Sequence, residues 1–171
     1  MPQSSYDVPV VEQGAENPIC WVASMAMVES YWTQSSVGVG KYTGGFDPSM
    51  SCIDNMATDV VDFQNRMASF GFYPAYPDEP LSLNSLYEAS DRLGPLIYFH
   101  YVNGFPYLSG PGTGGGAHAI VITGTDTDQG GFWFNNPWGD KDTWADATSG
   151  LAPAADPNSR SYSLYFGNFP V

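Results

Sequence analysis

Apolar residues recur at helical spacing in the first half of the chain. The first run follows steps of four, three and four residues, which is the spacing along one face of an α-helix. Its members are Trp21, Met25, Val28 and Trp32. Cys20 directly precedes this run, and Asn17 and Pro18 before it are residue types that favour a helix start. The pattern predicts a buried helix with Cys20 at or near its N-terminus.

Two more helices are predicted before residue 95. In the second, apolar residues alternate at steps of three and four from Ile53 to Phe70, and Gly71 provides a natural end. The third runs from about Leu83 to Leu93 and ends at Gly94. The remaining polar, glycine-rich or proline-rich stretches are predicted to be extended or loop: 1–19, 33–50 and 73–80.

From residue 96 onward the pattern predicts strands. Four short stretches are rich in β-branched and aromatic residues: Leu96–Val102, Ala117–Gly124, Gly131–Asn135 and Ser161–Phe166. A turn over 126–130 joins the middle two, and 105–116 and 139–160 are predicted loops. Helices first and strands afterwards predict an α+β fold with segregated layers. The 171 residues show no repeat or linker, so we expect a single domain over 1–171.

The charge balance excludes some classes of partner. Five basic and 18 acidic residues give a formal net charge of −13, which repels phosphate backbones and anionic membrane surfaces. We therefore expect no nucleic-acid partner. The apolar runs are too short to span a bilayer, so we expect no membrane insertion. The first residues carry neither a basic region nor an apolar stretch, so no signal peptide is visible.

Cys20 and His118 are the candidates for nucleophilic chemistry. A thiol attacks as its thiolate, which a helix N-terminus and a nearby imidazolium both favour. His118 opens a predicted strand after three glycines, at a position suited to a cleft wall. A histidine base needs an acceptor for its second ring nitrogen. The residues alone allow either Asn135 or Asn136 to be that acceptor. His100, on an alternating strand, is interpreted as a core or surface residue.

Four segments resemble motifs of the papain-like cysteine proteases and follow the same order. Cys20-Trp21-Val22-Ala23-Ser24 resembles their Cys-Trp-x-x-Ser opening, and Gln13, seven residues earlier, resembles their oxyanion-hole glutamine. The segment Ala117–Gly124 resembles their histidine region. Asn136-Pro137-Trp138-Gly139 resembles their Asn-x-Trp-Gly motif. The chain looks most similar to the bacterial C39-like and C70-like (AvrRpt2-type) relatives.

This resemblance implies a papain-like fold and a cysteine peptidase without metal or cofactor. Its nucleophile helix would pack against a C-terminal antiparallel sheet. The implied catalytic residues are Cys20 as nucleophile, His118 as general base, Asn136 as the residue that orients the histidine, and Gln13 as oxyanion donor. The implied substrate-binding residues are Gly115, Gly116 and Trp138, and Trp138 would also cover the histidine–asparagine pair.

The resemblance also implies a protein or peptide substrate. It favours a secreted protein or one delivered into a target cell, as a bacterial effector or toxin domain. An inhibitor or immunity protein is a possible partner, and the sequence does not identify it. The same site chemistry is compatible with amidase, deamidase or transglutaminase action on a protein or on peptidoglycan. An inactive binding module with this fold is a further alternative.

Two features depart from papain itself. Pro18-Ile19 stands where papain has Gly-Ser before the nucleophile, and only 98 residues separate Cys20 from His118, against roughly 130 or more in papain. The chain has two cysteines, Cys20 and Cys52. A bridge between them is possible on the count, but we expect Cys20 to be a reactive thiol and Cys52 a buried apolar one.

Overall fold

The computed structural model describes residues 3–13, 19–43, 60–75, 82–101, 117–147 and 163–169. In this part of the chain the helices are α1 (Cys20–Thr33), α2 (Gly40–Thr43), α3 (Val60–Ser69) and α4 (Leu83–Leu93). The strands are β1 (Gln3–Ser5), β2 (Phe72–Pro74), β3 (Leu96–Tyr101), β4 (Ala117–Asp126), β5 (Gly131–Asn135), β6 (Thr143–Asp146) and β7 (Ser163–Gly167).

The described strands form one antiparallel sheet in the order β2-β7-β3-β4-β5-β6. Strand β4 pairs along one edge with β3, from Ala117 to Ile122, and along the other with β5. Beyond the end of β3, β1 continues the first edge and pairs with Gly124–Asp126. Strand β4 therefore has partners on both sides in its second half, from Val121 onward.

Helices cover both faces of β4. Alternate residues of a strand point to opposite faces, and here Ala119 and Val121 share a buried cluster with α1. Ile120 and Ile122 share a second cluster with Leu86 of α4. The predicted α+β fold, with the Cys20 helix packed on an antiparallel sheet, is confirmed.

Helix α1 is buried around its whole circumference. Every residue from Cys20 to Ser30 is buried, because the sheet covers one side while Val8, Tyr42 and Met67 pack in the same cluster. The predicted start at Cys20 is confirmed. Ile19 occupies the N-cap position without a side-chain hydrogen bond, and Asn17 lies outside the described residues. No described helix is long and apolar enough to cross a membrane.

Local signals set the ends of several elements where the sequence places them. Helix α4 runs from Leu83 to Leu93 as predicted. Its N-cap Ser82 accepts a hydrogen bond from Ser85 N, and Gly94 adopts a positive φ of 83° after its last turn. Strand β5 also has its predicted bounds. The second predicted helix is described only from Val60 onward.

The sequence interpretation missed four short elements: β1, β2, β6 and α2. Each is three or four residues long, too short for a periodic pattern. Helix α2 is held to α1 by polar contacts, since Lys41 Nζ and Tyr42 OH both donate to the buried carboxylate of Glu29. The stretches predicted as extended or loop therefore contain regular structure that depends on tertiary partners.

Gly131, the first residue of β5, leaves no room for a side chain. A Cβ there would collide with the backbone carbonyl of Ala145 and the ring of Trp144. We expect Gly131→Ala to lower the free energy of unfolding by about 1–3 kcal/mol, because backbone must move to accept the methyl group. Gly38→Ala is the matched control, since a Cβ at Gly38 meets nothing within 4 Å. Denaturant unfolding measures both, and equal stability of the two variants would contradict the packing described.

Candidate active site

His118 and Asn136 lie at the same end of the sheet. His118 is the second residue of β4, and Asn136 directly follows β5. The two strands are antiparallel, so the start of one lies beside the end of the other. His118 Nε2 lies 2.9 Å from Asn136 Oδ1, and the two residues are 4% and 1% exposed. The sheet thus forms a hydrogen-bonded pair that is almost closed to water.

This hydrogen bond selects the tautomer of His118. An amide oxygen only accepts, so Nε2 carries the ring proton and a neutral imidazole has its lone pair on Nδ1. Burial lowers the pKa of His118 from 6.5 to about 4, although the hydrogen bond with Asn136 opposes the shift. The ring is therefore neutral at pH 7 and its basic nitrogen is Nδ1.

Trp138 covers the pair. Its ring stacks on the His118 ring with centroids 4.4 Å apart and an interplanar angle of 28°. Its backbone N–H also points at Asn136 Oδ1, at 3.3 Å. The indole thereby keeps water from the histidine–asparagine hydrogen bond, as the sequence predicts. Contact between Trp138 and a substrate stays a prediction.

A tight turn holds Asn136 in place. Gly139 N donates to Asn136 O over 2.9 Å, and Asn136 N donates to Asp140 O over 2.8 Å. Gly139 has a φ of 112°, a conformation that favours glycine. The side chain of Asn136 is fixed from the far side as well, because its Nδ2 donates to Asp140 Oδ2 over 3.0 Å.

Asn135 has a different environment. Its Nδ2 donates to Val8 O over 2.8 Å, and its Oδ1 accepts from Asp142 N over 2.9 Å. The side chain thus ties the segment after β1 to the loop before β6. Of the two candidates left open by the residues, Asn136 is the hydrogen-bond partner of His118.

Gln13 reaches the same end of the sheet through the backbone. Its N–H donates to Pro137 O over 2.9 Å, and its side-chain Oε1 is buried. Glu12 beside it lies against Gly139. The structure therefore joins the segment that carries Gln13 to the turn that carries Asn136, although the two residues are 123 positions apart in the chain.

Cys20 is the first residue of α1 and is 3% exposed. It shares its buried cluster with Ala119, the neighbour of His118 on β4. The helix N-terminus carries partial positive charge, which favours a thiolate at this position.

Cys20 is disulfide-bonded in the structure. The expectation that it carries a thiol is therefore wrong for this state of the protein. The chain has one other cysteine, Cys52, and it lies outside the described residues. The sequence interpretation gave the bridge little weight because Cys20 was assigned the role of nucleophile and because disulfide scaffolds normally have more cysteines at closer spacing.

Some candidates lie outside the pair, and one contributor was missed. Gly115 and Gly116 fall outside the described residues. His100 is the register partner of His118 across β3 and β4.

Asp140 was not singled out from the sequence, although its place directly after the Asn-x-Trp-Gly motif is a usable signal. Among the described residues, no cluster of three or more His, Cys, Asp or Glu side chains could hold a metal ion.

Comparisons with known proteins bear on the family and the fold of the chain. The model of a family described as papain-like cysteine protease AvrRpt2 matches residues 2–148. A crystal structure of a C39-like peptidase from Bacillus anthracis superposes with a TM-score of 0.56 at 12% sequence identity. That similarity covers 95% of this chain and 96% of the other. A search of curated proteins found no significant match.

The neutral state of buried His118 predicts a dependence of stability on pH. Its pKa is about 4 in the folded protein and about 6.5 in an unfolded chain. Between these values the unfolded state binds more protons, so the free energy of unfolding falls as pH drops from about 6.5 to about 4. Above pH 6.5 this group contributes no slope. Denaturant unfolding against pH should show a shallower decline over that window in His118→Gln, and parallel curves would contradict the shift.

Proposed function

Since the chain belongs to the papain-like cysteine protease family of AvrRpt2 and is therefore a cysteine peptidase, we propose that its reaction depends on Cys20, His118 and Asn136. Cys20 is the nucleophile, His118 the general base, and Asn136 orients the imidazole. The observation that carries the proposal is the buried hydrogen bond of 2.9 Å from His118 Nε2 to Asn136 Oδ1. It leaves Nδ1 as the basic atom of a ring that has little freedom to rotate.

In the proposed reaction, His118 Nδ1 takes the proton of the Cys20 thiol, and the thiolate attacks a peptide carbonyl carbon. The C–N bond breaks, a thioester forms on Cys20, and His118 returns the proton to the leaving amine. His118 then deprotonates a water molecule, which attacks the thioester carbonyl carbon. The C–S bond breaks, the acid product leaves, and His118 returns the proton to the sulfur of Cys20. Asn136 stabilises the imidazolium in each step by accepting from Nε2–H.

The negative oxygen of each tetrahedral intermediate needs hydrogen-bond donors. We assign this role to the Gln13 side-chain amide and the backbone N–H of Cys20. The supporting observation is the hydrogen bond from Gln13 N to Pro137 O, which fixes the Gln13 segment to the turn that holds Asn136. The N-terminus of α1 adds a favourable dipole at the same place.

The disulfide at Cys20 sets a condition on this reaction. A sulfur in a disulfide has no proton to give and is not a nucleophile, so the bond must be reduced first. A dithiol reductant supplies two electrons and two protons, becomes a disulfide itself, and leaves Cys20 as a thiol. We propose that the protein is inactive while oxidised.

The requirement for reduction of the disulfide is consistent with the proposed role of the protein as a secreted effector or toxin domain. Disulfides persist outside the cell and are rare in the reducing cytosol. We propose that the protein is oxidised and inactive outside the producing cell. In the reducing interior of a target cell the disulfide is reduced, and Cys20 becomes a thiol. The acidic chain, with its net charge of −13, favours basic or neutral polypeptides as substrates.

Product masses decide between peptide cleavage and the related acyl-transfer reactions. The reduced protein is incubated with an unstructured peptide library, and the products are identified by mass spectrometry. Cleavage gives two fragments for each peptide, whereas deamidation or transamidation leaves the peptide chain whole. Exclusively whole products would replace the peptidase proposal with the amidase class, and Cys20→Ser is the inactive control.

Activity should require a reductant. We expect no peptide cleavage and no alkylation of Cys20 by iodoacetamide before dithiothreitol is added, and both afterwards. Cys52→Ser is the matched variant, because its Cys20 has no second cysteine in the chain to pair with. This variant should cleave peptides without dithiothreitol pretreatment. Full cleavage by the untreated wild-type protein would contradict the redox condition.

Gln13→Ala should slow the reaction without unfolding the protein. Loss of one oxyanion donor lowers the rate by about a hundredfold to a thousandfold, while the hydrogen bond to Pro137 uses the Gln13 backbone and survives the substitution. Peptide cleavage and thermal unfolding are measured together. Gln129→Ala is the matched control, since Gln129 lies exposed in the turn between β4 and β5. Unchanged kcat/KM in Gln13→Ala would remove Gln13 from the oxyanion hole.

A further inference from the structure

Asp140 holds one end of the Asn136 side chain. Its Oδ2 accepts from Asn136 Nδ2 over 3.0 Å, and its backbone oxygen accepts from Asn136 N over 2.8 Å. The other end of the amide, Oδ1, faces His118 Nε2 and Trp138 N. Three groups thus surround one amide, and Asp140 is the only one of the three that accepts from it.

We propose that Asp140 is a positioning residue that fixes the orientation of the Asn136 amide and, through it, the tautomer of His118. This inference rests on the proposed peptidase function for its effect on catalysis, but its effect on the imidazole is independent of that function. It adds Asp140, behind the asparagine, to the four side chains of the proposed site.

The donors and acceptors around the amide determine its preferred orientation. An amide can rotate by 180° and exchange its oxygen and its NH₂ group. In the observed orientation the NH₂ group faces a carboxylate, which only accepts, and the oxygen faces the ring. After a flip, the amide oxygen would face the carboxylate and the NH₂ group would face His118 Nε2. An NH₂ group offers no acceptor, so Nε2 would then favour losing its proton, and the lone pair would leave Nδ1.

We expect Asp140 to act on His118 by orienting the Asn136 amide, and not through its own negative charge. Asp140 is exposed, so solvent screens its charge before it reaches the imidazole. Trp138 N–H also favours the observed orientation, although its contact with Asn136 Oδ1 is longer, at 3.3 Å. Removal of the Asp140 acceptor should therefore weaken the preference for one orientation without abolishing it.

Two substitutions of Asp140 distinguish an effect on the orientation of the amide from an effect of the negative charge. Asp140→Ala removes the acceptor, and we expect kcat/KM for peptide cleavage to fall on the order of tenfold. Asp140→Asn removes the charge but keeps an amide oxygen that accepts from Asn136 Nδ2, so it should retain most of the activity. Asp128→Ala is the charge-matched control, because Asp128 lies exposed in the turn after β4, and it should behave as wild type.

A second measurement reads the imidazole directly. ¹⁵N NMR of the oxidised protein reports which ring nitrogen of His118 is protonated, and no turnover is needed. We expect the proton on Nε2 in the wild-type, Asp128→Ala and Asp140→Asn proteins, and a mixture of tautomers in Asp140→Ala. An unchanged tautomer in Asp140→Ala would overturn the inference. Equal loss of kcat/KM in Asp140→Ala and Asp140→Asn would overturn the orientation argument in favour of charge.

The two measurements test the peptidase proposal and the positioning role of Asp140 independently. If the reduced protein cleaves no peptide while the tautomer shifts in Asp140→Ala, the peptidase proposal fails and the positioning role stands. If cleavage is normal in every variant and the tautomer is constant, the positioning role fails and the peptidase proposal stands.

Discussion

The arrangement of this molecule depends on the double burial of β4. One edge of the strand pairs with β3 and then β1, the other pairs with β5, and helices cover both of its faces. A strand enclosed in this way has one tolerable register, since a slip by one residue would exchange its two apolar faces. The position of His118 is therefore set by packing farther along the strand. The position of Asn136 is set in the same way, because β5 pairs in a fixed register with β4.

The parts of the fold that the sequence predicted are those with signals inside their own residues. Helix α4 has a capping serine before it and a glycine after it, and β5 starts directly after a turn. The missed strands β1, β2 and β6 have no such signals, because three or four residues cannot establish a period. Strand β1, for example, is a strand because Ser4 pairs with Thr125, a partner far away in the chain.

In the candidate site, too, the predictable features are those with a local sequence signal. The pairing of His118 with Asn136, under Trp138, follows from short motifs and was predictable. The choice of Asn136 over Asn135 needed the resemblance to a family, because the two residues are adjacent at the end of the same predicted strand. The disulfide at Cys20 was not predictable from residue types, and for Asp140 the only signal was its place directly after the Asn-x-Trp-Gly motif. Both contacts depend on the separation of side chains in space, and Asp140 is ordinary in composition until Nδ2 of Asn136 is seen to face it.

The hydrogen bond between Gln13 N and Pro137 O has a bearing on how the protein is made. It closes a loop that contains most of the chain, and contacts of such long sequence separation form late because the entropy of loop closure opposes them. During synthesis the first helix can emerge well before the turn at Asn136 exists. A nascent chain therefore holds Cys20 before His118 and Asn136 have paired and before the Gln13 segment is fixed. The proposed catalytic site is therefore assembled only when the sheet is completed, and a ribosome-bound precursor lacks it.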